Sequence, residues 1–338
     1  MMKSTAKPVI ILTLIILPLA IILFSLFIGR YPVLPAEAAH VLRCKLMGND
    51  CFLPDTVQAV VWDIRLPRVL LGAMVGGSLA VSGAAFQGLF RNPLVSAGIL
   101  GVSSGAGFGA ALAILLFNTT APVYLFAFAF GALAVMLSYL VGRIYRTTPT
   151  IMLVLGGVIV SSVFSALISM AKYVADPTNQ LPAIVFWLMG SLATARYRDL
   201  MIAGIPMLTG IAALLAVRWR INVLSMGDKE AQALGINTTV SKGIVIAGAT
   251  LATAGAVCVS GIIGWVGLVI PHIARMLVDN DNRVLIPASF SLGAGFLVLV
   301  DDLGRVLTGS EIPLGILTAL VGGPFFVYLL KKTKGGGW

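Results

Sequence analysis

The sequence predicts an all-α polytopic membrane protein, a single domain over residues 1–338 with about ten transmembrane helices. Three observations predict it. Hydrophobic residues make up 59% of the chain and charged residues only 11%, less than half the roughly 25% of a soluble domain and too few to cover a water-facing surface. Apolar runs of about 18 residues or more, almost free of charge, recur along the chain, and each can cross a hydrocarbon core. The 37 glycines would weaken helices in water but suit lipid, where small residues let helix backbones approach.

The spans follow in order. Lys3 and Lys7 lead into an apolar run from Pro8 to Ile28. No small-residue cleavage site follows, so this is the first span, not a signal peptide. The others are read over 67–89, 95–117, 121–142, 150–172, 200–217, 243–264, 265–278, 284–300 and 313–330. Only Gly261-Ile262-Ile263-Gly264 separates the seventh from the eighth. The chain must reverse there at or near membrane depth, where non-helical backbone needs protein or a water-filled cavity around it. Gly72-x-x-x-Gly76, Gly101-x-x-x-Gly105 and Gly105-x-x-x-Gly109 have the spacing of packing faces. Val81-Ser82-Gly83 in the second span is echoed by Val259-Ser260-Gly261 in the seventh. Each is followed by an apolar stretch and a proline-containing break, Arg91-Asn92-Pro93 and Pro271-His272. The two spans run in opposite directions, as in an inverted internal repeat.

The net charge of +10 comes from basic residues scattered at span ends, without a basic stripe or a nucleic-acid motif. Lipid is therefore the expected surrounding, and nucleic acid is not a partner. With both termini cytoplasmic, the cytoplasmic loops hold the larger share of Lys and Arg, in the direction the inner membrane imposes. Arg30, Arg65, Arg68, Arg196, Arg198 and Arg305 fall on the outer side against that bias. Cys44 and Cys51 share one polar outer loop. Seven residues apart and without a His/Cys cluster of zinc spacing, they are read as a disulfide pair and no metal is assigned; a contact through His40 in the same loop is the lesser reading.

No Gly-x-x-x-x-Gly-Lys-Ser/Thr loop is present, and the glycine run Gly101–Gly109 follows no strand, so it is not a dinucleotide fingerprint. The chain is accordingly expected to hold no cofactor and no catalytic site. Ion-coupled secondary transport, the alternative function, leaves ionisable groups inside spans, and the span middles have almost none. Energy from a separate partner fits better. An intramembrane prenyltransferase would need its two aspartate motifs on one side. Asp279-x-Asp281 and Asp301-Asp302 are separated by a span of roughly 25 Å and fall on opposite sides.

The longest polar cytoplasmic stretch, Arg218 to Lys242, contains a short helix over about 225–236. Ser225 or Asp228 can cap its start and Gly235 can end it in the left-handed conformation. Ala231 and Ala233 beside Leu234 would suit a groove on another protein; an ordinary capped loop helix also fits.

Taken together, the motifs resemble those of the permeases of iron-siderophore, haem and cobalamin ABC importers, the FecCD-like family of type II importers. Arg65-Leu66-Pro67-Arg68 and Arg91-Asn92-Pro93-Leu94 with Gly98-Ile99-Leu100-Gly101-Val102 carry the first part. Gly227-x-x-x-Ala231-x-x-Leu234-Gly235 and the run from Gly264 to Arg275 through Pro271-His272 carry the middle. Asp301-x-x-x-Arg305 and Glu311-Ile312-Pro313-Leu314-Gly315 through Pro324 carry the end. The resemblance spans nearly the whole chain. It implies a dimer of two copies with the substrate path along their interface, two cytoplasmic ATPase subunits that hold the ATP and magnesium, and an outer substrate-binding protein. It makes Gly227, Asp228, Lys229, Glu230, Ala231, Leu234 and Gly235 the ATPase-coupling helix. It makes Arg65, Arg68 and Arg305 the acceptors of the binding protein's acidic residues. It places Arg91, Asn92, Pro93, Pro271 and His272 in a structural motif near the gate. Two departures stand out: Ala97 where the family often has a second proline, and a second acid, Asp302, beside Asp301. The expected substrate is a metal chelate, ferric siderophore first, then haem, cobalamin or an oxyanion such as molybdate.

Overall fold

The structure is a computed structural model, and it describes residues 6–117, 119–143 and 149–332. Helices α1 (Ala6–Ser25), α2 (Pro35–Met47) and α3 (Asp55–Gln58) come first. A π-helical segment, Ala59–Arg65, joins α3 to α4 (Leu66–Phe90). Then follow α5 (Val102–Leu116), α6 (Thr120–Gly142), α7 (Thr150–Val174), α8 (Gln180–Met189), α9 (Tyr197–Met226) and the short α10 (Asp228–Ala233). The chain closes with α11 (Thr238–Ser260), α12 (Val266–Val278), α13 (Asn282–Val306) and α14 (Leu314–Lys332). No strand occurs among the described residues, as the all-α reading requires.

Among the described residues, six helices are long and apolar enough to cross a membrane: Asp55–Phe90, Ala121–Gly142, Thr150–Val174, Tyr197–Met226, Thr238–Ser260 and Asn282–Val306. Five shorter apolar helices accompany them. The ten spans read from hydropathy are not of equal length: α1 and α14 run 20 and 19 residues, and two others are shorter. The span placed at 95–117 becomes a helix only from Val102, because residues 91–101 fold as turns. The span at 265–278 is a 13-residue helix, about 20 Å long and too short for a full crossing. Helix α8 lay in no expected span. An apolar turn buried by other helices has the same hydropathy as a helix, so hydropathy cannot separate them.

Helix α4 is the central post, buried along nearly all its length. Pro67 has no N–H to return to the preceding turn, and that turn widens into the π segment, with the Leu66 N–H reaching the Val61 carbonyl. Glycine sets how closely the neighbours approach. A Cβ on Gly76 would lie 2.2 Å from the Gly293 carbonyl of α13, and one on Gly109 would lie 2.2 Å from the Phe126 carbonyl of α6. The glycine-spaced faces therefore are helix contacts.

Direction can be read from contacts at the ends. Arg68, at the start of α4, bonds Asp301 at the end of α13, while Gly88 near the end of α4 lies beside Asn282 at the start of α13. Tyr197 at the start of α9 donates to the Trp62 carbonyl (2.8 Å), so α9 runs parallel to α4. Helix α11 runs the other way. Its Ser260 carbonyl meets the Ser191 N–H (2.8 Å) at the arginine end, and its Lys242 meets Asp228 of α10 at the opposite end. The two Val-Ser-Gly helices are therefore antiparallel, and each is followed by non-helical backbone and a short helix, α5 or α12. That is the arrangement an inverted repeat requires, but the second break differs from the expected one. The second break is at 261–265, where Trp265 has φ 67°; Pro271 lies inside α12. Asp279 and Asp281 sit at one end of α13 and Asp301 and Asp302 at the other, as the span length required.

Candidate functional site

Helix α10 stands at one end of the bundle with Gly227 at its start, φ 139°. A Cβ on Gly227 would lie 2.0 Å from Glu230 Oε2 and 3.6 Å from Arg91 Nη1, so glycine lets the Glu230 side chain and the loop after α4 close over the helix start. Gly235, φ 78°, ends it in the left-handed region, and the Ile236 N–H returns to the Ala231 carbonyl (2.9 Å). Neither Ser225 nor Asp228 caps it. Asp228 instead accepts from Lys242 Nζ of α11 at 2.7 Å. Ala231, expected in a partner's groove, is fully buried in the chain's own core with Ile221, Leu224 and Val245. The helix needs a small residue there to lie flat on the bundle. Its outward face is Met226, Lys229, Glu230, Gln232, Ala233 and Leu234.

The Arg91-Asn92-Pro93 turn and His272 come together at the same end. Arg91, φ 51°, closes α4, and Asn92 Oδ1 accepts from the Leu94 N–H (2.9 Å), which makes the turn. Arg91, Asn92, Pro93, His272 and Arg275 line one polar cavity of about 510 Å³; Pro271 is not among its lining residues. Gln87 ties the two halves. It accepts from Arg275 (3.0 Å) and donates to the Val95 and Leu268 carbonyls (3.3 Å each).

At the far end the three arginines expected to await a binding protein are already engaged. Arg65, Arg68 and Arg305 are 3%, 6% and 6% exposed. Arg68 forms a bidentate pair with Asp301 (2.9 and 2.8 Å) and a second with Glu311 (2.9 and 2.8 Å). Arg305 bonds Asp302 and Ser25 and approaches Asp301 at 3.3 Å. Arg65 donates to the Leu26 and Tyr31 carbonyls (2.9 and 2.6 Å). Groups this buried need partners inside the fold; Arg68 and Arg305 find carboxylates and Arg65 finds backbone carbonyls, so the three do not form a free docking surface. The second acid takes part in the pairing: Arg305 bonds Asp302 and approaches Asp301, while Arg68 holds Asp301 through two hydrogen bonds. In the loop beyond, partial burial works against the Glu311 charge, but the Arg68 hydrogen bonds and charge outweigh it and hold the carboxyl below its usual range. Arg196 and Arg198 are exposed and line a cavity of about 710 Å³ with Tyr124, Thr194 and Thr209, floored by apolar residues of α6 and α9.

Cys44 and Cys51 stand side by side as unbonded thiols in this structure. Cys44 is buried on α2, and its thiol and that of Cys51 share a cluster with the His40 ring. Desolvation and the Cys51 neighbour push the Cys44 thiol above its usual range.

A helical bundle with several helices long and apolar enough to cross a membrane is that of a multi-pass membrane protein. A family profile described as the FecCD transport family matches residues 14–332. The chain is 40% identical to the molybdate import system permease MolB of Haemophilus influenzae, over 99% of both chains. It is 35% identical to the vitamin B12 import system permease BtuC of Escherichia coli, over 95% of this chain and 94% of that one. A solved inward-facing structure of a metal-chelate type ABC transporter superposes with a TM-score of 0.86 at 39% identity, over 96% of this chain and 99% of that one. The chain belongs to the FecCD transport family. It is a permease subunit of the type II ABC importer class.

Proposed function

We propose that this chain, as a homodimer in the cytoplasmic membrane with both termini inside, forms the path of an ATP-driven importer for a metal chelate or metal oxyanion. Two cytoplasmic ATPase subunits supply the energy, and an outer binding protein delivers the solute. The end-to-end likeness to importer permeases carries this reading. Both termini face the α10 end: α1 ends beside Arg65 at the opposite end, so its start points to α10, and α14 runs from Leu314 toward Trp265. That end is taken as cytoplasmic.

The geometry supports alternating access. Helix α10 is pinned to the bundle by the Lys242–Asp228 pair and by buried Ala231, so a pull on its outer face is passed to α9 and α11. Arg91 lies against its start, and the gate loop moves with it. The exposed apolar residues Met201, Ile205 and Leu208 of α9, beside the cavity bearing Arg196 and Arg198, suit the facing copy. Two exposed arginines against one buried acid, Asp199, in that cavity favour an anionic solute. Ferric siderophore remains one reading, and the full-length likeness to a molybdate permease sets molybdate beside it.

The test is ATP hydrolysis and uptake in proteoliposomes, with the chain co-expressed with its ATPase. Glu230→Arg with Leu234→Arg, both on the exposed face, is expected to lose the ATPase or uncouple hydrolysis while the permease stays folded. Uptake that persists without any ATPase overturns the reading in favour of gradient-driven transport. Competition between labelled ferric chelate and molybdate then separates the substrates.

A further inference from the structure

The strongest feature that transport does not use lies in the α2 loop. His40 and Cys44 are one helical turn apart on α2 and share a face. After Met47 the chain turns back through Gly48, φ 69°, with the N–H groups of Gly48 and Asn49 both reaching the Cys44 carbonyl. That turn carries Cys51 over the same face. Gln58 then fixes the returning strand of chain, donating to the Cys51 carbonyl (3.2 Å) and the Leu53 carbonyl (2.9 Å). The imidazole nitrogen and the two sulfurs all lie within 4.8 Å of one another. Cys44 is buried, Cys51 half-buried and His40 exposed.

We propose that His40, Cys44 and Cys51 form a site for a thiophilic divalent cation of the zinc class. Two sulfurs and one nitrogen match zinc's preferred donors and do not suit magnesium or calcium, which take oxygen. Tetrahedral zinc, with Zn–S of about 2.3 Å and Zn–N of about 2.0 Å, sets donor atoms roughly 3.3–3.8 Å apart. The cluster therefore needs only to draw in slightly. Both thiols give up their protons to water as the metal–sulfur bonds form. The open His40 side leaves the fourth position to water. A bound ion would clamp α2 to the chain that leads into the π segment and Arg65.

The test uses the full chain in detergent, kept reduced with a phosphine. Co²⁺ is titrated as the spectroscopic probe and Zn²⁺ by competition with a chromophoric chelator. One ion per chain is expected, with a thiolate-to-cobalt charge-transfer band. Cys51→Ser and His40→Ala should each weaken binding by more than about tenfold, while Cys258→Ser, buried in α11, should leave it unchanged. His40 is exposed, so His40→Ala reports on ligation even if Cys51→Ser misfolds. Absence of the thiolate band, or binding that survives in His40→Ala, overturns the proposal. So does a Cys44–Cys51 disulfide in protein prepared from membranes without reductant, since that bond would consume both ligands.

Discussion

If the buried arginine cluster is structural, removing Arg68 should destabilise the permease on its own, before any partner is present. Arg68→Met deletes four hydrogen bonds of 2.8–2.9 Å, two to Asp301 and two to Glu311. Asp301, whose side chain is only 3% exposed, would keep just the 3.3 Å contact to Arg305. Breaking a buried ion pair from one side costs about 3–5 kcal/mol, because the remaining charge stays desolvated. Two features pull the figure toward the lower bound: Arg305 still faces Asp301, and Glu311, 33% exposed, can turn to water. A loss of about 3 kcal/mol is therefore expected. In a chain of this size that corresponds to a fall in Tm of roughly 5 °C. The assay is thermal unfolding of the detergent-solubilised chain followed by tryptophan fluorescence. Arg198→Ala, an exposed arginine at the same end, is the control and should stay within about 1 °C. If Arg68→Met melts with the wild type but fails to capture the binding protein, the cluster is a docking surface after all and the argument from burial is wrong.

Two further outcomes are expected. Glu311 has a folded pKa below its unfolded value, so its contribution is complete above the usual glutamate pKa of about 4.3 and is lost as pH falls through the folded value, where the unfolded chain binds the extra proton; Glu311→Gln should flatten the decline in Tm on acidification below about pH 4.3, and an unchanged acid limb would show that the Arg68 contact is not made in solution. A Cβ on Gly83 would lie 1.9 Å from the Gly267 carbonyl, whereas one on Gly243 meets nothing within 4 Å; Gly83→Ala should therefore cost about 1–3 kcal/mol by overpacking, while Gly243→Ala should gain up to about 1 kcal/mol from helix propensity, and equal melts for the two would remove the close α4–α12 contact.

Much of this protein was legible in its composition and patterning. Lipid as solvent, an all-helical chain, glycine-spaced contacts and the left-handed stop at Gly235 all follow from local rules that neighbours cannot override. The antiparallel pair marked by Val81-Ser82-Gly83 and Val259-Ser260-Gly261 was legible too, since span order sets direction. The short helix after Gly227 was legible as a capped element in the longest polar stretch; its coupling role is what the family resemblance implies.

Tertiary packing decided what local rules leave open. Hydropathy scores a buried turn and a buried helix alike, so residues 91–101 and the short α8 and α12 could be sorted only by what covers them. Spacing placed Ala231 on α10 but could not say which face of so short a helix looks inward. The arginines at 65, 68 and 305 had the charge of a docking site, yet partners 233 and 243 residues away, Asp301 and Glu311, neutralise Arg68 within the fold. A metal contact through His40 was the lesser reading because its closeness to Cys51 depends on a turn at Gly48 that spacing does not reveal. Sequence determines which residues must leave water or enter lipid, since that is a property of each side chain. Which charges and donors meet depends on distances between remote segments, and only the folded chain sets those.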